Sequence, residues 1–285
     1  MASAFLKKIF ASFLTAAVLA LPACAYERII SLYAGHTDNI IALNGASKII
    51  GTSSNYDPQR LPGIPRFPMK ADAEALLALK PDLVLMRTLV EKKNPELRGI
   101  LERAGVKTLL IDPPSWEEFK DYLKQLAPLI DIAPEAAIKL FDDTCEGIGT
   151  EAERRRGTRA RPSVFVEATS KELHTCSPHS WAAHLIELAG GKNAAADALP
   201  IRAGSAIAPW GLERILRLLS AGLDVYLVEN GPMNATTPED LKKRFWAQAL
   251  SSARIGVVPE YELARPSLLG LREGGMKLIE LFYGE

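Results

Sequence analysis

The sequence predicts an α/β protein of two lobes with central, mainly parallel sheets, joined by one long connecting helix. Three observations predict it. Apolar strand-like runs alternate with helical segments on both sides of residue 133, the pattern of parallel βα units. Residues 72–86 (DAEALLALKPDLVLM) read as a short helix with an early carboxylate, a Pro-Asp turn and an apolar strand. Residues 212–228 (LERILRLLSAGLDVYLV) repeat that phrase with a longer spacing between Glu213 and Asp224, which suggests one plan used twice. Between the two sets, 133–156 carry Ala137, Leu140, Phe141, Cys145 and Ile148 at helical spacing.

The first lobe is expected over 26–132. Residues 28–32 (RIISL) form a strand, 36–43 (HTDNIIAL) a helix ended by Asn44-Gly45, and 48–51 (KIIG) the next strand. A loop rich in Pro, Ser and Asn fills 52–68. In the helix after it, Leu76, Leu77 and Leu79 supply the apolar face, and Pro81 ends it because proline cannot continue the hydrogen-bond ladder. The run 83–86 is apolar throughout, as suits a parallel strand covered on both faces. A helix over 95–104, a strand over 106–111 and a helix over 116–129 follow.

The connector spans 133–161. Pro134 sits where a first-turn proline is tolerated, Gly147 and Gly149 predict a kink, and the charged run 151–161 reads as a solvated face. The second lobe, 162–285, holds strands at 163–167, 225–228 and 255–258. Its helices fall at 181–189 (closed by Gly190-Gly191), 211–221, 238–249 and 266–283.

Residues 1–25 are of another kind. Lys7 and Lys8 precede an apolar stretch, and Ala23-Cys24-Ala25 fits the small-x-small rule for signal-peptidase cleavage. The stretch is short for a membrane span. We read it as a signal peptide releasing a soluble exported chain; Leu21-Pro22-Ala23-Cys24 also resembles a lipobox, with Cys24 as the lipid anchor. Export leaves Cys145 and Cys176, for which a disulfide and two ordinary buried thiols are both open.

The chain has 285 residues, enough for a substantial core, and 34 basic residues balance 34 acidic ones. That balance argues against nucleic acid or an anionic membrane as partner. Several motifs are also missing: the G-x-S-x-G elbow, the P-loop, the strand-coupled G-x-G-x-x-G and H-E-x-x-H. The carboxylate pairs Asp72/Glu74 and Glu117/Glu118 open helices, where the dipole accounts for them. An enzyme is therefore not expected.

Several phrases carry a resemblance. Residues 28–38 (RIISLYAGHTD), 43–51 (LNGASKIIG), 75–86 with its Lys-Pro-Asp turn, 185–193 (LIELAGGKN) and Arg265-Pro266 before the last helix cover nearly the whole exported chain. Together they resemble the periplasmic substrate-binding proteins of iron-siderophore, haem and cobalamin ABC importers. Asp38 stands where that family usually has glutamate and Ala34 where it has proline, which leaves the subgroup open. The resemblance implies capture of a metal chelate between the lobes, with no intrinsic cofactor. It also implies delivery by a monomer to a permease dimer with its ATPase. Glu74 and Glu213 match the family's docking glutamates, one per lobe, which pair with arginines of the permease.

Ligands of open α/β sheets gather beyond the carboxyl ends of the strands. Tyr33, His36, Tyr56, Arg87, Asn230 and Met233 occupy those ends, and Trp181, Arg202 and Trp210 lie in loops that could face the same cleft. Aromatic rings with a few cations suit a large, flat or anionic metal chelate. His36 is the histidine expected to touch the chelate or bind its metal axially. The alternatives are a bare transition-metal ion held by three imidazoles from among His36, His174, His179 and His184 with Glu167, an oxyanion such as molybdate or tungstate at Arg87, or a periplasmic sensor or scavenger without a permease. A helical connector further predicts little hinge opening.

Overall fold

The computed structural model describes residues 25–284. The expected leader, including Cys24, lies outside the described residues apart from Ala25.

The first lobe comprises β1 (Ile29–Ser31), α1 (Ala34–Ala42), β2 (Ile49–Ser53), β3 (Arg66–Phe67), α2 (Ala73–Ala78), β4 (Leu83–Met86), α3 (Thr88–Lys93), α4 (Leu97–Arg103), β5 (Lys107–Leu110) and α5 (Phe119–Leu126). Its strands pair in the order β3-β2-β1-β4-β5, all parallel. The connecting helix α6 (Pro134–Arg156) has 23 residues and is therefore roughly 35 Å long. It runs as one continuous helix through Gly147 and Gly149.

The second lobe holds β6 (Ser163–Glu167), β7 (Thr175–Cys176), α7 (Trp181–Leu188), β8 (Lys192–Asn193), β9 (Ile207–Ala208), α8 (Leu212–Ser220), β10 (Val225–Asn230), α9 (Pro238–Lys242), β11 (Arg254–Pro259), α10 (Glu260–Leu263) and α11 (Leu268–Tyr283). Its main sheet is again parallel, in the order β11-β10-β6-β8, while β7 and β9 form a small antiparallel ribbon.

Local chemistry explains the helix starts. Asp72 accepts from the Glu74 amide, Ser180 from Ala183 and Ser267 from Gly270, each satisfying an N–H that a helix leaves orphaned. Thr237 and Asp240 form a reciprocal capping box at α9. The helix expected over 238–249 stops at Lys242, because Arg244 turns inward to a buried carboxylate, and a 3-10 stretch resumes at Ala247.

One apolar core runs through both lobes. It joins Ile29, Leu83 and Phe119 of the first lobe to Phe141 and Ile148 of α6, and to Trp181, Leu227 and Leu278 of the second. Helix α11 packs on α6, α1, α7 and α10. Its glycines allow that closeness: a Cβ on Gly274 would stand 1.9 Å from the Glu262 carbonyl oxygen, and one on Gly275 2.6 Å from Ile148.

Cys145, on α6, and the buried Cys176, on β7, are both free thiols, so the disulfide alternative is not realised. Burial pushes each thiol up to about 12.

Candidate functional site

In each lobe the strand order reverses about one strand. β1 lies between β2 and β4, and β6 lies between β8 and β10. Chain leaving the two sides of such a point diverges, which opens a crevice beyond the carboxyl ends. The two crevices face each other. Tyr33 follows β1 and Arg87 follows β4; Ala168 follows β6, and Glu229 to Asn234 end and follow β10. These residues apart from Asn230, with Asn55, Glu260 and Arg265, line a cleft of about 230 Å³ between the lobes. Typical small-molecule sites occupy ~300–1,000 Å³, so this cleft has room for the edge of a large ligand.

On the first wall, the Arg87 guanidinium lies 5.0 Å from the Tyr33 ring centre. Both residues cap helices that start directly after their strands. Burial pushes the Tyr33 hydroxyl up to about 12, so it remains a donor across the physiological range. Among the described residues no carboxylate lies within 4 Å of Arg87.

The second wall is acidic. Gly231 and Asn234 exchange backbone hydrogen bonds of 2.8 and 3.0 Å, holding Pro232 and Met233 at the tip of a tight turn. Asn234 anchors the turn by donating to the Glu167 carbonyl at 2.9 Å. Met233 is 57% exposed at the cleft. Glu229 is only 5% exposed, and burial together with the nearby Glu260 pushes its carboxyl up to about 8. Glu260 itself accepts from Arg265 at 2.7 Å.

Of the ligand residues expected from sequence, Tyr33, Arg87 and Met233 line this cleft. Asn230 ends β10, half-buried and just behind the lining. The other five are placed elsewhere. His36 is fully buried; its Nδ1 lies 2.9 Å from the Tyr122 hydroxyl and its Nε2 2.9 Å from the Ile111 carbonyl. Since a carbonyl only accepts, Nε2 carries the proton and Nδ1 accepts from Tyr122. Burial lowers this imidazole to about 4, so it stays neutral with both nitrogens occupied and no position free for a chelated metal. Tyr56 is buried and donates to Asp38 at 3.1 Å. Trp181 packs among Trp116 and Phe119, with ring centres at 4.7 and 4.8 Å. Trp210 lies beneath Arg214 in the second lobe's own core, and Arg202 is exposed in a loop away from the lining.

The bare-ion set is not assembled either. Glu167 is saturated: Arg244 reaches both its oxygens, Nη2 at 2.8 Å, and Tyr226 and Thr236 donate to it as well. His184 stacks on Trp116 and His174 pairs with Glu172. Among the described residues no group of three or more His, Cys, Asp and Glu is placed to hold a metal.

Glu74 and Glu213 are both exposed, in the first turns of α2 and α8. Each helix runs antiparallel to the strand it feeds. The end of α2 receives hydrogen bonds from Arg28 before β1, while Asn94, beyond the carboxyl end of β4, bonds the Ala71 carbonyl just ahead of its start. In the second lobe Asp224 after α8 bonds the Ser163 amide at the start of β6, and Gly211 before α8 bonds Leu173 beyond its end. Both glutamates therefore stand on the side of their lobes where the cleft opens.

Sequence reasoning missed Glu229, Glu260, Arg265 and Asn55. A visible signal existed for the first: in VYLVEN one carboxylate interrupts an apolar strand, and a buried charge needs a reason.

A model of the periplasmic binding protein family matches residues 26–258. Curated relatives include vitamin B12-binding proteins of Yersinia pestis (strain Pestoides F), 28% identical over 192 residues, and of Yersinia pseudotuberculosis serotype O:1b, 28% identical over 185 residues. The first match covers 66% of this chain and 66% of the relative, the second 63% and 64%, so the chain spans just under two thirds of their length. Among solved structures, a possible iron-binding periplasmic solute-binding protein from Staphylococcus epidermidis is 24% identical with a TM-score of 0.70, over 90% of this chain and 99% of that one. A periplasmic heme-binding protein from Pseudomonas aeruginosa is 19% identical with a TM-score of 0.67, over 90% and 93%. The periplasmic vitamin B12-binding protein of Vibrio cholerae is 19% identical with a TM-score of 0.60, over 90% and 96%. These structural likenesses establish a shared fold.

Proposed function

We propose that this chain, which belongs to the periplasmic binding protein family, captures a metal chelate in the cleft between its lobes and delivers it to the permease of an ABC importer. The observation that carries the reading is the cleft itself. Two topological switch points face each other, and their ends supply an aromatic-cationic wall, Tyr33 with Arg87, against a polar wall from Glu229 to Asn234. A site that takes one edge of a flat ligand from both sides suits a planar chelate with polar substituents. Relatives and structural neighbours named for vitamin B12 and heme support that class of cargo. The chelate is cargo, and the chain works in the periplasm as a binding protein without catalysis.

A small oxyanion fits less well. Arg87 would favour it, but the Glu260 carboxylate on the opposite wall would oppose a compact dianion. Glu74 and Glu213 complete the reading. Both flank the side on which the cleft opens, so a permease gripping the two with arginines would sit over the cargo.

The test is equilibrium titration of the exported chain with cyanocobalamin, haemin and a ferric hydroxamate complex, followed by tryptophan fluorescence and calorimetry. Saturable one-to-one binding of at least one is expected. Failure of all three, with binding of molybdate instead, would overturn the proposal.

A further inference from the structure

Glu229 is a buried acid without a partner. It is 5% exposed and lines the cleft, yet none of its side chain's possible hydrogen bonds is made within the described protein, and no cation stands within 4 Å of it. Carboxyls on largely buried residues are ordinarily paired or hydrogen-bonded, because leaving one bare is costly. The other acids nearby obey that rule: Glu167 on the flanking strand β6 is spent on Arg244, and Glu260 on α10 is held by Arg265.

Its surroundings select the protonated form. Glu260 faces it from α10 and the buried Cys176 thiol from β7. Arg265, the cation of its own lobe that lines the cleft, is shared between Glu260 and Asp38. The opposite wall offers Arg87 and the Tyr33 hydroxyl, also donors. A carboxylate here would be buried beside another carboxylate; a neutral acid presents an O–H into the cleft.

We propose that Glu229 determines ligand specificity, donating its carboxylic O–H to a carbonyl or carboxylate oxygen on the ligand's periphery. Arg87 and Tyr33 supply donors from the other wall, so the cleft selects chelates rimmed with amide or carboxylate oxygens over chelates bearing ammonium groups. This inference rests on the reading of the cleft as a chelate site. Because the acid titrates near pH 8, affinity for such a ligand is level below that pH and falls above it, approaching tenfold per unit if the ionised form does not bind.

The experiment uses the exported chain with cyanocobalamin, rimmed by amides, haemin, with two carboxylates, and the ammonium-bearing iron complex of desferrioxamine B. Affinities are measured from pH 6 to 9 for wild type, Glu229→Gln and Glu229→Leu. Infrared difference spectra of wild type minus Glu229→Gln at pH 7 report the protonated C=O stretch. Expected are a protonated-acid band, tighter binding of an oxygen-rimmed probe than of the ammonium complex, and a decline above pH 8. Glu229→Leu loses tenfold or more. Glu229→Gln, which keeps a donor and cannot ionise, loses a few-fold and abolishes the decline. If wild type binds none of the probes, the chelate reading itself falls and takes this inference with it. If a probe binds and Glu229→Leu matches wild type, or binding tightens above pH 8, or the ammonium complex is preferred, only this inference is overturned.

Discussion

Asn39 fastens the first lobe to the last helix: its Oδ1 accepts from the Leu268 amide at 2.8 Å, and its Nδ2 donates to the Pro266 carbonyl at 3.2 Å. The same Nδ2 lies 2.9 Å from the Gly35 carbonyl, so one fully buried carboxamide ties the start of α1 to the start of α11. Truncating it strands the Leu268 N–H in a buried site, and a buried donor left unmade costs about 1–3 kcal/mol. Asn39→Ala should lower unfolding stability by that amount in urea titration. Since the same bonds span the lobes, it should also widen the free protein in small-angle scattering. Wild type should show little compaction on binding ligand, because the lobes share a core along α6 and α11 as well as this tie.

Beside this tie stands Asp38, whose carboxyl burial raises to about 6 even though Arg265 at 3.5 Å, Arg60 at 3.7 Å and the Tyr56 hydroxyl pull it down. Its folded value lies above the usual 3.8, so the folded state holds this proton more tightly than the unfolded chain does. Between pH 4 and 6 the native state therefore binds more protons, and this group's contribution to stability falls as pH rises through that window, levelling above it. Asp38→Asn should flatten the stability profile between pH 4 and 6 in urea titrations at stepped pH. A slope unchanged by the substitution would place the titration elsewhere.

How much of this was legible depends on what each residue's environment had to encode. Strands buried on both faces have apolar centres, so 83–86 and 163–167 lie at the bounds expected from sequence, the second closed by Ser163 and Glu167. Direction is harder: the apolar side chains of VYLVEN do not tell which of them face the cleft, and the expectation falls on Asn230, the last residue, although the Glu229 carboxylate beside it is the visible signal. His36 misled for a related reason. It follows the carboxyl end of β1, but α1 starts at Ala34, and one turn of helix is enough to swing the side chain inward to Tyr122. Two-residue strands such as β3 and β8 exist only through their neighbours, so no local pattern announces them.

Trp181 was expected in the cleft and lies instead where three elements meet, its ring against Phe119 of α5 and Trp116, with Phe141 of α6 packed on both. Trp181→Ala should cost about 3–5 kcal/mol of stability, as large aromatic truncations in cores do. The variant that remains folded should bind its chelate within a few-fold of wild type, by fluorescence titration below its unfolding transition. A loss of affinity that exceeds the loss of stability would return Trp181 to the ligand.

The partner reading turns on whether Glu74 and Glu213 act outside the cleft. Neither lines it, and both project into solvent from first turns, Glu213 with only the neighbouring Arg217 for company. An exposed pair of this kind contributes little to stability, so reversing these charges should leave the fold intact. Against arginines on a permease the effect is of another order, because each contact changes from attraction to repulsion and the two lie on separate lobes, so neither can compensate for the other. Glu74→Lys with Glu213→Lys should therefore abolish uptake in cells that depend on this importer, while the purified double variant binds cyanocobalamin or haemin as wild type does. Each single variant should retain part of the uptake, since one anchor remains. Lost affinity in the double variant would show that these residues serve the cargo, and unimpaired uptake would remove them from the docking face.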